Sequence, residues 1–193
     1  VVHHAVLHVL RDSKELRPEK FPLNFVSRFG WAPGARANLF PPNVGAFIPK
    51  QSKLALTVHY EANGEITVDD KTRIGFYLYS KKPTNIREEW TLLNEKITIP
   101  PRSANHVDRI EKVVPYDANV IAMNSHMHLR GRSSRIFIEK TDGSRDAIFE
   151  LDPYLFSFQY TYEKEKPLKL KKGEKIICEN TFDNSLLNKL NPN

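Results

Sequence analysis

The chain has one cysteine, Cys178, and two methionines, Met123 and Met127, among 193 residues. A single cysteine excludes an intrachain disulfide, a Cys-rich zinc site and a Cys-x-x-Cys redox pair. Cys178 lies in Lys175-Ile176-Ile177-Cys178-Glu179, with no histidine or methionine nearby, and reads as a small apolar strand residue. No apolar run approaches the ~20 residues of a membrane span. Glycine is sparse, at eight, and no Gly-rich phosphate loop or nucleophile elbow is present. No three-turn amphipathic helix can be traced. The N-terminus, Val1-Val2-His3-His4, shows no Met start, basic segment or apolar leader, and is expected to be incomplete.

The charge balance is mildly basic, +6 from 29 Lys+Arg against 23 Asp+Glu. The one dense basic run, Lys164 to Lys175, carries glutamates and a proline and reads as the rim of a charged hairpin. With no aromatic-interleaved RNA motif and no helix-turn-helix pattern, nucleic acid is not an expected partner. Asp69-Asp70 and Glu88-Glu89 read as solvated charges, not as an acid–base pair.

What the chain does have is short β-prone segments punctuated by turns. Val1–Leu10, Ser52–Glu61, Thr72–Tyr79, Lys96–Pro101, Val107–Val114, the stretch from Val120 through His126 and His128, Arg135–Thr141, Arg145–Leu151, Phe156–Tyr162 and Glu174–Phe182 are expected strands. Asp142-Gly143 is a hairpin turn, and Asn63-Gly64 carries the same signal. This pattern predicts an all-β architecture. The polar stretch Ser80 to Glu89 is the best boundary, giving domains 1–84 and 85–193.

Six of the seven histidines fall in three of these strand-like segments, and five of the six are candidate ligands. His126 and His128 flank Met127 in Asn124-Ser125-His126-Met127-His128-Leu129-Arg130-Gly131. Residues i and i+2 of a strand face the same side, so the two imidazoles can meet at one point. Neutral imidazole is the commonest metal ligand and suits copper, zinc, iron and nickel. His59 sits in Leu56-Thr57-Val58-His59-Tyr60. His3 and His4 are adjacent, and both can serve one metal only if the strand twists or bulges there. His8 reads as a structural or surface histidine, and His106 as a loop histidine.

Together, Val2-His3-His4-Ala5-Val6-Leu7, Leu56-Thr57-Val58-His59-Tyr60 and His126-Met127-His128-Leu129-Arg130-Gly131 resemble the copper type II, ascorbate-dependent monooxygenases. Peptidylglycine alpha-hydroxylating monooxygenase and dopamine beta-monooxygenase are animal members. Gly30-Trp31-Ala32-Pro33-Gly34, Phe40-Pro41-Pro42 and Asp183-Asn184-Ser185 look like the bacterial branch. The resemblance spans nearly the whole chain. It implies two antiparallel, jelly-roll-like β-sandwich domains side by side, each with one copper, the first truncated N-terminally and the second C-terminally. His3, His4 and His59 would hold the electron-supplying copper. His126 and His128 would hold the oxygen-binding copper and be the catalytic pair. The resemblance further implies C–H hydroxylation with O2 and an ascorbate-like reductant, in a periplasmic or secreted setting. The family's second copper also takes a methionine, for which neither Met123 nor Met127 is placed; a fragment that stops short of that ligand is the expectation. Asn124 stands where the peptide-hydroxylating member has a carboxylate-binding arginine, which argues against a peptidylglycine substrate. The alternative is a non-catalytic copper-binding or structural subunit of the same fold in an extracytoplasmic assembly.

Overall fold

The computed structural model describes residues 2–11, 26–66, 68 and 71–191. The Asp69-Asp70 pair lies outside them. Among the described residues there are eleven strands and no helix, so the chain is all-β. Among the described residues, no helix is long and apolar enough to cross a membrane.

Contacts divide the chain into two units, residues 1–90 and 91–193. In the first, β1 (Val2–Leu10) lies between β2 (Ser27–Trp31) and β4 (Lys53–Tyr60) in an antiparallel sheet. The central position of β1 follows from its composition. Leu7, Val9 and Leu10 are apolar on both faces and buried, as a strand covered on both sides requires. β3 (Val44–Ala46) pairs in parallel with β5 (Asn85–Arg87).

The polar stretch that marks the 84/85 boundary is therefore partly structured and belongs by contact to the first unit. Glu89 is not a solvated charge. It pairs with Arg28 and with Arg87, the latter at 3.2 Å. The Arg87 guanidinium also lies 5.7 Å from the ring centres of both Phe29 and Phe40, within cation–π range.

The second unit holds a four-stranded antiparallel sheet. Its order is β6 (His106–Val113), β11 (Lys175–Phe182), β8 (Gly131–Glu139), β9 (Arg145–Leu151). β8 and β9 form the hairpin predicted at Asp142-Gly143, where Gly143 takes a φ of 86° that a side chain would disfavour. A two-stranded antiparallel ladder joins β7 (Ala118–Met123) to β10 (Tyr162–Leu170). Met127, Tyr154 and Phe182 form a buried cluster, with Ile97, Ile99, Leu151 and Phe156 packed against it.

Several segments depart from the sequence-based expectation. Thr72–Tyr79 and Lys96–Pro101 join no ladder, although both are β-prone. Strand propensity describes a residue that suits a paired, half-buried surface, and it does not supply the partner. Phe156–Tyr162 alternates with period two, yet the strand begins only at Tyr162. The basic run that read as a hairpin rim is largely β10 itself, whose ladder is interrupted between Glu163 and Leu168 around Pro167. Proline has no N–H to give to a ladder, so the irregularity falls there. β2 takes in Gly30 and Trp31, which open the Gly30-Trp31-Ala32-Pro33-Gly34 motif and lie in none of the expected strands. His106 opens β6 opposite Phe182 and is not a loop residue.

Candidate metal centre

The first histidine cluster is built by a register shift. β1 runs antiparallel to β4 with Val2 opposite Tyr60, then His4 opposite His59, and the ladder is irregular between Val2 and His4. His3 is thus the extra residue of a bulge, and both His3 and His4 lie against His59. A bulge re-aims a side chain that regular alternation would send to the far face. The three rings meet with centroid separations of 5.2, 5.2 and 4.9 Å. His3 Nδ1 and His4 Nδ1 are 3.0 Å apart, and one ring nitrogen from each of the three residues lies within 4.8 Å of the others.

The electrostatics favour a neutral ring at His4. Burial, then the neighbouring His59 and His3, hold the His4 pKa below its ordinary value. A neutral imidazole offers a lone pair to a metal, so a lowered pKa keeps the donor available at neutral pH.

The second pair stands on different ground. β7 ends at Met123, and Asn124–His128 is extended chain without a ladder, followed by a turn into β8. The i, i+2 alternation nevertheless persists. Ser125 and Met127 are buried, while Asn124, His126 and His128 are exposed. Two inward anchors maintain that alternation. Ser125 Oγ donates to Ser134 Oγ at 2.7 Å. Met127 inserts between Tyr154 and Phe182, and the Tyr154 hydroxyl accepts from the Met127 N–H (3.1 Å) and donates to its carbonyl (2.7 Å). Gly131 N–H donates to His128 O at 2.8 Å and closes the turn. On the outward side His126 Nε2 and His128 Nε2 approach to 3.1 Å.

Metal–imidazole bonds of ~2.0–2.1 Å at angles of ~90–110° hold two nitrogens ~2.8–3.4 Å apart. The 3.0 and 3.1 Å separations therefore suit a shared ion in each cluster. The spacing within the first cluster reaches 4.8 Å, so an ion shared by all three rings requires the exposed His59 ring to turn inward. Imidazole-only sets fit copper, and equally zinc or nickel, because softness and geometry together make the selection. Among the described residues, His3, His4 and His59 are the only group of three potential ligands; His126 and His128 remain a pair. Met127 faces the core and is buried, so it is a peg for the segment and not a donor beside the pair.

The remaining histidine of the first sheet, His8, is fully buried opposite Arg28 and belongs to neither cluster. Burial, then Arg28, lower its pKa, against a raising effect of Glu89. The Cys178 thiol is half-buried and pushed up by burial, which makes it a poor nucleophile or ligand.

Three residues around the second pair carried no signal of a functional role in the sequence. Tyr154, Phe156 and Gln159 form a loop that is remote in sequence and irregular in conformation. Phe156 sets its ring edge-on to His128, with centroids 6.2 Å apart, and Gln159 Oε1 lies 3.0 Å from His126 Nδ1. Comparison of the sequence with models of protein families and with curated proteins finds no match to either.

Proposed function

We propose that the chain is a copper-dependent monooxygenase that hydroxylates a C–H bond with O2 and an ascorbate-like reductant, in a periplasmic or secreted setting. The observation that carries this reading is the pairing of two imidazole clusters in two separate β units, one of three rings and one of two. The motif resemblance supports the same division of labour, and with it a jelly-roll-like sandwich for each unit.

In this reading His3, His4 and His59 hold the electron-supplying copper, and His126 and His128 hold the oxygen-binding one. Copper, when bound, supplies one-electron redox chemistry and the activation of O2. The protein supplies donors of fixed direction. The bulge at His3 brings two adjacent imidazoles to one side, and the Met127 peg sets the spacing of His126 and His128. Both histidines of the second pair are exposed, which leaves them open to O2 and a small substrate. Asn124 carries no charge, and its amide nitrogen donates to Tyr160 O at 2.7 Å. That position offers no cation to a substrate carboxylate, which supports a substrate class other than C-terminal glycine peptides.

A second reading has its own support. Two imidazoles make a sparse donor set, which favours a non-catalytic copper-binding or structural subunit of the same fold. Copper per chain, measured for wild type, His59→Ala and His126→Ala, tests the metal assignment. Equal copper content in wild type and His59→Ala refutes the first site. Ascorbate-dependent O2 consumption above that of free copper, lost in His126→Ala, supports the enzyme. Retained copper with no such consumption supports the binding protein.

A further inference from the structure

The loop from Tyr154 to Gln159 addresses three successive residues of the second cluster. The Tyr154 hydroxyl takes both backbone groups of Met127, the Phe156 ring meets the edge of His128, and Gln159 reaches His126. Only the last contact bears on which ring nitrogen is a lone-pair donor. Gln159 has two different ends, an oxygen that accepts and an NH2 that donates. Its Nε2 donates to Phe156 O at 3.0 Å. A backbone carbonyl only accepts, so the amide cannot be flipped, and Oε1 is the end that faces His126 Nδ1 at 3.0 Å. An amide oxygen also only accepts, so His126 Nδ1 must carry the hydrogen. In the neutral ring Nε2 then bears the lone pair.

We propose that Gln159 is a positioning residue that locks His126 in the Nδ1–H tautomer and thereby aims the Nε2 lone pair at the point shared with His128. The inference rests on the reading of His126 and His128 as a metal-binding pair. It also separates the two donors. His126 is set for coordination before any ion arrives. Across the 3.1 Å contact, His128 Nε2 must hold the hydrogen that His126 Nε2 accepts. His128 therefore has to give up or relocate that hydrogen when an ion binds, and His126 does not. Ligating histidines commonly donate their second N–H to an outer partner that fixes ring and tautomer, and loss of such a partner weakens metal affinity by about 10–100-fold. Gln159 is half-buried and on an irregular loop, so its replacement does not open the Met127 core.

The test uses the full chain, metal-free, with imidazole nitrogens followed by long-range 15N–1H NMR and the signals assigned from His126→Ala and His128→Ala. Wild type is expected to show His126 with hydrogen on Nδ1 and His128 with hydrogen on Nε2. Gln159→Leu should release His126 into a tautomer mixture, and Gln159→Glu, which keeps an acceptor at that point, should restore Nδ1–H. Titration with copper(I) against a competing chelator, read on the same signals, should show affinity at this pair reduced by about 10–100-fold in Gln159→Leu and recovered in Gln159→Glu. An unchanged His126 tautomer in Gln159→Leu, with circular dichroism matching wild type, overturns the proposal. If the tautomer shifts as described but wild-type His126 and His128 take up no copper(I), the orienting role stands and the metal reading of this pair is overturned instead.

Discussion

Tyr154→Phe isolates what the outward face of the His126–His128 segment owes to its inward face. The substitution removes one oxygen and leaves the ring among Met127, Phe182 and Leu151. That oxygen satisfies two buried backbone groups, the Met127 N–H at 3.1 Å and the Met127 carbonyl at 2.7 Å. Each buried group left without a partner costs ~1–3 kcal/mol, and no cavity of note is created, so the second unit should lose ~2–6 kcal/mol. A domain stability of ~5–15 kcal/mol makes this a large fraction. At a mid-range urea slope of ~2 kcal/mol per M, the unfolding midpoint should fall by about 1–3 M.

The assay has an internal control. Both tryptophans, Trp31 and Trp90, lie in the first unit, so tryptophan fluorescence follows that unit. Amide exchange at Met127 and along the β6, β11, β8 and β9 ladders follows the second. Faster Met127 exchange and a lower second-unit midpoint, with the fluorescence transition unmoved, are expected. Imidazole NMR should then show the His126–His128 contact loosened, because the peg that spaces them is freer. A midpoint shift worth less than ~0.5 kcal/mol, within the range of an ordinary surface change, would refute the anchoring argument.

Because the bulge places both His3 and His4 against His59, His3→Ala and His4→Ala should each weaken metal binding at the first cluster; equilibrium dialysis showing a loss only for His4→Ala would remove His3 from the set. Gly131→Ala should destabilise the second unit by ~1–3 kcal/mol in urea unfolding, since the added Cβ would meet Met127 Cβ at 2.7 Å, Tyr154 Cδ1 at 2.9 Å and His128 O at 3.1 Å. For His8, whose pKa is lowered in the fold from 6.5, the unfolded chain binds more protons just below that value. Stability is therefore fully present above pH ~6.5 and declines as pH falls through the window below it. His4 adds to the same slope, so His8→Gln should reduce the dependence between pH 7 and 5 without abolishing it; an unchanged slope in denaturation at the two pH values would contradict the buried placement. The lowered carboxyl groups of Asp117, Glu139, Asp142 and Asp183 lose their contribution only in more acidic solution, below the ordinary carboxylate pKa of ~4, and do not confuse this window.

The β class, most of the strands of the second sheet and the hairpin at Asp142-Gly143 were legible in the chain, because alternation and turn chemistry act between near neighbours. The same holds for His126 and His128, whose shared side follows from two-residue periodicity even where no ladder forms. Pairing is a different matter. Thr72–Tyr79 and Phe156–Tyr160 have strand-like composition and no partner strand, while Ser27–Trp31, with a glycine inside it, found one in β1. Glu89 looked solvated until Arg28 and Arg87 were seen beside it. The sequence by itself determined the alternating faces, the turns and the chemistry of the candidate donors, all of which are local properties of the backbone and side chains. Only the tertiary structure decided that His3 bulges to join His4 against His59, and that Tyr154, Phe156 and Gln159 hold the Met127 segment. Each of those depends on the register between strands or on a loop contact far along the chain, and no local pattern encodes either.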